Sequence, residues 1–271
     1  VLGDSYVWGY GVDQDKVFTE TIVHKSEHEF INFGVSGYGT DQSYLFYKQA
    51  GTSFEVDEVV LVFTPYNDVE NNLSSRQYGH DKPYFTLKDN MLTFHTEQLK
   101  ENPVQTMINK IWAQSRVINL FFTAHRTFQN WKILKRTKGD TAIPGAGPLE
   151  PSIVTKRDLK GVALTMAIIS KLQKEVLSTG SKFSIMFVPY KPHILHKVPY
   201  NHPLVPILAE KLEAAGIPYY EPYFTFLDET NSKKLFNPID NHFSPEGHRV
   251  FSRTLVNPDV REITKNLYKK I

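Results

Sequence analysis

A serine, a histidine and a carboxylate bracket this chain: Gly3-Asp4-Ser5 follows directly on an apolar start, and Asp240-Asn241-His242 stands near the far end. A serine hydroxyl is a poor nucleophile until a nearby imidazole accepts its proton and a carboxylate fixes the tautomer of that imidazole. Residues of these three types therefore point to acyl transfer, provided the fold brings them together. Alone, each piece has a plainer reading. Gly-Asp-Ser is also an ordinary turn, and any single histidine among ten is more often structural.

Two further segments lie between them, Asn32-Phe33-Gly34-Val35-Ser36-Gly37 and Tyr66-Asn67-Asp68. In this order the four segments resemble the four blocks of the SGNH (GDSL-type) esterase and acyltransferase superfamily, and the resemblance runs from the first residue to about Leu255. It implies that Ser5 is the nucleophile, His242 the general base and Asp240 the acid that orients it. It also implies an oxyanion hole formed by the N–H groups of Ser5 and Gly37 and the side-chain amide of Asn67, donors aimed at the charge of a tetrahedral intermediate.

The chain departs from the family pattern twice. Pro65 stands where a glycine is usual, and the acid and base are spaced Asp-x-His, one residue closer than the common Asp-x-x-His. Some relatives that acetylate polysaccharides share the shorter spacing. The implied activity is hydrolysis of a carboxylic ester, on a small molecule or a glycan, through an acyl-Ser5 intermediate and without metal or organic cofactor. An O-acyltransferase handing acetyl to a polysaccharide is the alternative, since water and a sugar hydroxyl attack the same acyl-enzyme. A catalytically silent carbohydrate-binding domain is a third reading, and the complete set Ser5, Gly37, Asn67 and His242 argues against it.

Elements able to position these residues are legible around them. Short apolar runs alternate with longer helical patterns, which points to βαβ units and a parallel sheet. Strands are expected at Val1-Leu2, Phe30 to Phe33, Glu58 to Thr64, Phe183 to Val188 and Pro218 to Glu221. The run from Glu58 to Phe63 is almost continuously apolar, as a strand buried on both faces must be. Helices are expected over Lys16 to Ser26, Asp41 to Ala50, Val104 to Arg136, Lys156 to Leu177 and Pro203 to Ala215. Two alternating runs, Tyr84 to Leu87 and Met91 to Phe94, flank the polar Lys88-Asp89-Asn90 and predict a β-hairpin outside the main sheet. Lys138 to Ser152, rich in glycine and proline, is a loop. Ser244, Pro245 and Glu246 read as N-cap, first helical residue and first-turn acid, so His242 belongs to a loop just before a helix and His248 lies inside it. The expected fold is a three-layer α/β/α sandwich with a mainly parallel, flavodoxin-like five-stranded sheet and a hairpin excursion, all of residues 1–271 forming one domain.

Composition excludes several alternatives. There are 31 basic and 29 acidic side chains and a formal net charge of +2, so no global field favours nucleic acid. Cysteine is absent, which removes disulfides, thiol nucleophiles and thiolate metal sites. His193, His196 and His202 have no carboxylate at ligand spacing, so no metal is expected there. Gly34-Val35-Ser36-Gly37-Tyr38 misses the Gly-x-Ser-x-Gly elbow at its last place, which makes Ser36 the weaker nucleophile candidate. Gly9-Tyr10-Gly11 lacks the third glycine of a dinucleotide loop.

Tyr6, Trp8, Tyr10, Tyr38 and Tyr66 crowd the segments that carry Ser5, Gly37 and Asn67. Tyr6, Trp8, Tyr38 and Tyr66 are the substrate-pocket candidates, their rings suiting sugar stacking and acyl burial alike. Phe121 to Lys138 interleaves aromatic and basic residues, a pattern of a core-facing helix with a solvated charged side that also suits an anionic membrane surface. A first strand of only two residues implies further chain before Val1, where a leader or membrane anchor would lie.

Overall fold

The computed structural model describes residues 1–23, 28–78, 80–96 and 153–256. The helix expected over Val104 to Arg136, the basic stretch Phe121 to Lys138 and the loop Lys138 to Ser152 lie outside the described residues.

The chain begins with β1 (Leu2–Gly3), α1 (Ser5–Trp8), α2 (Phe18–Val23), β2 (Phe33–Gly34) and α3 (Thr40–Gln49), and continues through β3 (Glu58–Phe63) into α4 (Pro65–Asn72). Two small hairpins follow, β4 (Arg76–Gln77) with β5 (His80–Asp81) and β6 (Tyr84–Lys88) with β7 (Met91–His95). After the break come α5 (Lys156–Ser178), β8 (Lys182–Phe187), α6 (Lys191–Leu195), α7 (Leu204–Ala214), β9 (Tyr219–Tyr220), α8 (Tyr223–Asp228) and α9 (Pro245–Val256).

Strands β2-β1-β3-β8-β9 form a five-stranded sheet in that order, with every neighbouring pair parallel. Counted within the sheet this is the order 2-1-3-4-5, the flavodoxin-like doubly wound arrangement, whose ligands sit beyond the carboxyl ends of the strands where the winding reverses. β3 pairs with β8 along its whole length, from Glu58 opposite Lys182 to Phe63 opposite Phe187. Alternate residues of these strands face opposite layers. Val59, Leu61, Phe63, Ile185 and Phe187 pack against α3, α5 and α7, while Val60, Val62 and Met186 pack against α2, α8 and α9. Both faces are covered, which is why the strands carry almost no polar residues. The result is the expected three-layer α/β/α sandwich with a parallel sheet.

The hairpin expected at Tyr84 to Phe94 is present, its two-residue turn at Asp89 and Asn90 with φ of +50° and +60°. Positive φ at both places is what a tight hairpin turn demands and what Asp and Asn tolerate best. The β4–β5 hairpin just before it was not anticipated. Neither was α4, and its first residue explains the unusual Pro65: this proline opens the helix, where its fixed φ fits and its missing N–H has no role.

Candidate active site

Three loops meet at the carboxyl ends of β2, β1 and β3. Asp4, 1% exposed, ends β1 and caps α1 by accepting the Tyr6 N–H at 2.9 Å, so that Ser5 becomes the first residue of that helix. The other Asp4 oxygen accepts the Thr64 hydroxyl at 2.9 Å and the Asn67 side-chain amide at 3.3 Å. Burial raises the Asp4 pKa, opposed by these same hydrogen bonds. One buried carboxylate thus ties the Ser5 helix to the Asn67 helix.

Asn67 is held at both ends of its amide, since its oxygen accepts from the Asn71 side chain at 3.0 Å one turn along α4. With Asp4 taking one of the two amide hydrogens, the second is left for a ligand. Gly34 allows β2 to approach α1: a Cβ there would fall 2.3 Å from the Trp8 nitrogen. Gly37 follows with φ +86°, and its N–H meets no acceptor among the described residues.

His242 arrives from the far side of the sheet on a short turn. Phe236 and Phe243 bridge its base, and the Asn237 N–H donates to the His242 carbonyl at 2.8 Å. Two buried side chains pin the turn from below. The Tyr6 hydroxyl donates to the Asn241 carbonyl at 2.5 Å, and the Lys191 ammonium donates to the carbonyls of Asn237 at 2.8 Å and Asp240 at 2.6 Å. So held, His242 Nε2 lies 2.8 Å from Ser5 Oγ.

On the opposite edge of the ring, Nδ1 lies 3.1 Å from Asp240 Oδ1, off the line of a good hydrogen bond. The same oxygen accepts the His242 backbone N–H at 2.9 Å, and a single intervening residue leaves little freedom to satisfy both donors. Burial works to raise the Asp240 pKa, but the nearby His242 side chain, the His242 backbone N–H and the charges of His242 and Lys191 outweigh it and hold the carboxyl low. An ionised carboxylate at that edge favours the tautomer with its proton on Nδ1. Nε2 is then free to accept the Ser5 proton.

The aromatic candidates separate in space. Tyr6 is 3% exposed, lies under the histidine turn and is hydrogen-bonded to the Tyr66 hydroxyl, its ring 5.1 Å from the imidazole. Tyr10, half-buried, packs closer at 4.6 Å. Tyr66 is partly buried against Tyr190, and Tyr38 sits edge-on to Phe46. Trp8 is open to solvent. Ser36 is exposed, and no histidine is bonded to it among the described residues.

Two further histidines have structural partners. His248 is buried and accepts the Phe18 N–H at 3.3 Å, and His193 bonds to the carbonyls of Tyr200 and Asn201. Among the described residues no group of three His, Asp or Glu side chains is arranged to hold a metal. Sequence reasoning missed Lys191, whose only signal is its place just past the end of β8.

No protein-family model matches this chain, and no curated protein matches it either. Among solved structures, one described as "a putative lipolytic protein of G-D-S-L family", from Desulfitobacterium hafniense DCB-2, aligns over 94% of this chain and 94% of its own with a TM-score of 0.49 and 10% sequence identity.

Proposed function

We propose that this protein is a serine esterase that cleaves a carboxylic ester through an acyl-Ser5 intermediate. The observation that carries the reading is the 2.8 Å contact between Ser5 Oγ and His242 Nε2, beside an amide held ready on Asn67. As Oγ forms its bond to the ester carbon, its proton passes to Nε2 and the carbonyl π pair moves onto oxygen. Negative charge on that oxygen is met by the N–H groups of Ser5 and Gly37 and the free amide hydrogen of Asn67. Collapse of the intermediate breaks the carbon–oxygen bond to the alcohol, which leaves with the proton from Nε2. Water then repeats the sequence on the acyl-enzyme, giving the acid and free Ser5.

Asp240 acts through His242, keeping the proton on Nδ1 and offsetting the charge that the imidazole gains. The backbone N–H of the histidine fixes the Asp240 carboxylate beside Nδ1, where it acts through its charge at 3.1 Å and not through a well-aligned hydrogen bond. The test is labelling by a fluorophosphonate probe together with hydrolysis of a short aryl ester. The wild-type chain and Ser36→Ala should react, and Ser5→Ala should do neither. Full activity in Ser5→Ala, with loss in Ser36→Ala, would overturn the reading.

A further inference from the structure

Tyr78 breaks a local rule at the edge of the site. Gln77 pairs with His80, so Tyr78 directly follows the first strand of a tight hairpin. Its φ is +49°, a conformation that such turns reserve for Asn, Asp or Gly and that an aromatic residue seldom adopts. It is also 78% exposed, so burial of the ring does not repay the strain. Strain of this kind collects where a fold holds a side chain for a ligand.

The ring has a definite place. A Cβ built on Gly37 would lie 2.4 Å from Tyr78 Cε2, so the ring rests directly against the α-carbon of Gly37. The hairpin that carries it is anchored. The Lys82 N–H closes its base on the Ser75 carbonyl at 2.9 Å, and the buried Lys82 ammonium pairs with buried Asp41 in the first turn of α3. Tyr78 therefore belongs to the same corner of the fold as the Gly37 loop.

We propose that Tyr78 is a specificity-determining residue, its ring closing the acyl side of the site at Gly37 and restricting the enzyme to short acyl groups such as acetyl. This rests on the esterase reading above. The direction follows from the chemistry: the leaving alkoxide must face His242 Nε2 to take its proton, and the carbonyl oxygen must face the amide donors. The acyl substituent then departs on the side away from His242. Rings of Tyr6 and Tyr10 flank the histidine, whereas Tyr78 stands at the glycine.

The experiment compares kcat/KM for p-nitrophenyl acetate, butyrate and octanoate in the wild type, Tyr78→Ala, Tyr78→Gly and Tyr78→Phe. Glycine suits the backbone of this turn, so Tyr78→Gly removes the ring without threatening the fold. Both truncations should raise the butyrate-to-acetate ratio by about tenfold or more, the scale expected when room is made for methylenes in a pocket. Tyr78→Phe should keep the wild-type ratio. An unchanged ratio in active Tyr78→Ala and Tyr78→Gly overturns the proposal and leaves the esterase reading intact. So does a change confined to the alcohol part when a series of acetate esters is tested. Failure of the wild type to cleave any of the three esters overturns the esterase reading and this proposal with it.

Discussion

The ammonium of Lys191, on a residue only 2% exposed, donates to the backbone carbonyl of Asp240 at 2.6 Å. With its second bond, to Asn237, this side chain spans the turn that presents His242. Lys191→Met keeps the length of the stem but leaves both carbonyls without their donor, so the turn should loosen. We expect kcat to fall by about tenfold to a hundredfold, a barrier change of about 1.4 to 2.8 kcal/mol, with KM nearly unchanged. Steady-state kinetics beside a thermal melt check this, and a fall in activity matched by global unfolding at assay temperature would contradict it.

The same lysine should give activity and stability opposite trends in alkali. Burial brings its pKa down to about 8, against the Asp240 carboxylate, which works to raise it. As pH rises through about 8, the charge beside Asp240 disappears and the charge-assisted bonds to the turn weaken, so kcat should decline. Stability behaves otherwise. Between about 8 and the ~10.4 of an unfolded lysine, the unfolded chain binds a proton that the folded chain has released, so this group makes stability increase with pH. Below about 8 both states are protonated and the cost of burying the charge is fully present. Lys191→Met should flatten both trends, and an alkaline limb in kcat that persists in this variant would assign it to another group.

If the esterase reading holds, Asn67→Ala should lower kcat by about a hundredfold to a thousandfold, because its amide would then act on charge that develops only in the transition state. Asn71→Ala offers a finer check. Its amide fixes the Asn67 oxygen at 3.0 Å and so determines which end of that side chain faces the ligand. Losing it should cost less than losing Asn67 itself, with the loss again in kcat. A rise in KM at constant kcat in either variant would mean that the amide binds the ground state.

Much of the scaffold was visible in the chain because burial leaves a pattern. Glu58 to Phe63 has the nearly continuous apolar run of an interior strand, and the Tyr84 to Phe94 hairpin showed its alternation and turn. Helix α4 left no such trace, since Pro65-Tyr66-Asn67-Asp68-Val69-Glu70-Asn71-Asn72 has no apolar stripe. It is held by polar bonds, Asp68 to the Thr64 N–H at 2.9 Å and Asn72 to Thr165 at 2.8 Å, whose partners no local pattern predicts. The site divides the same way. Ser5 and His242 are named by residue type and neighbours, whereas Lys191 reaches their turn only through the folded topology. Tyr6 has the side chain of a pocket residue, yet its hydroxyl is taken by the Asn241 carbonyl, an acceptor that composition cannot reveal.

Pro65 gives a test of that helix start apart from the chemistry. Pro65→Gly installs the glycine usual in the family that the chain resembles, but the first helical position here suits proline. The variant should lose about 0.4–1 kcal/mol, chiefly through greater freedom of the unfolded chain, while kcat changes less than about threefold because a one-residue backbone effect leaves the Asn67 bonds in place. Chemical denaturation with parallel kinetics separates the two quantities. A large loss of activity at unchanged stability would show that proline itself sets the approach of Asn67.

Asp240→Asn is the sharpest test of the shortened acid–base spacing. The carboxylate oxygen beside Nδ1 also accepts the His242 N–H, so an asparagine oxygen can keep the backbone bond while its nitrogen faces outward. The turn should then survive, and the change isolates the charge and the tautomer preference. A neutral amide oxygen holds the Nδ1 proton more weakly than a carboxylate and no longer offsets the charge of the imidazolium, so Nε2 becomes a poorer acceptor for Ser5; in other triads the same change costs as much as about 10⁴ in kcat. Lys191 adds a consequence: with its neighbouring carboxylate gone, the ammonium loses the charge that raises its pKa, and the alkaline limb should move to lower pH. A loss below about tenfold with the limb unmoved would mean that Asp240 serves only as a turn residue, and that Ser5 and His242 work as a dyad.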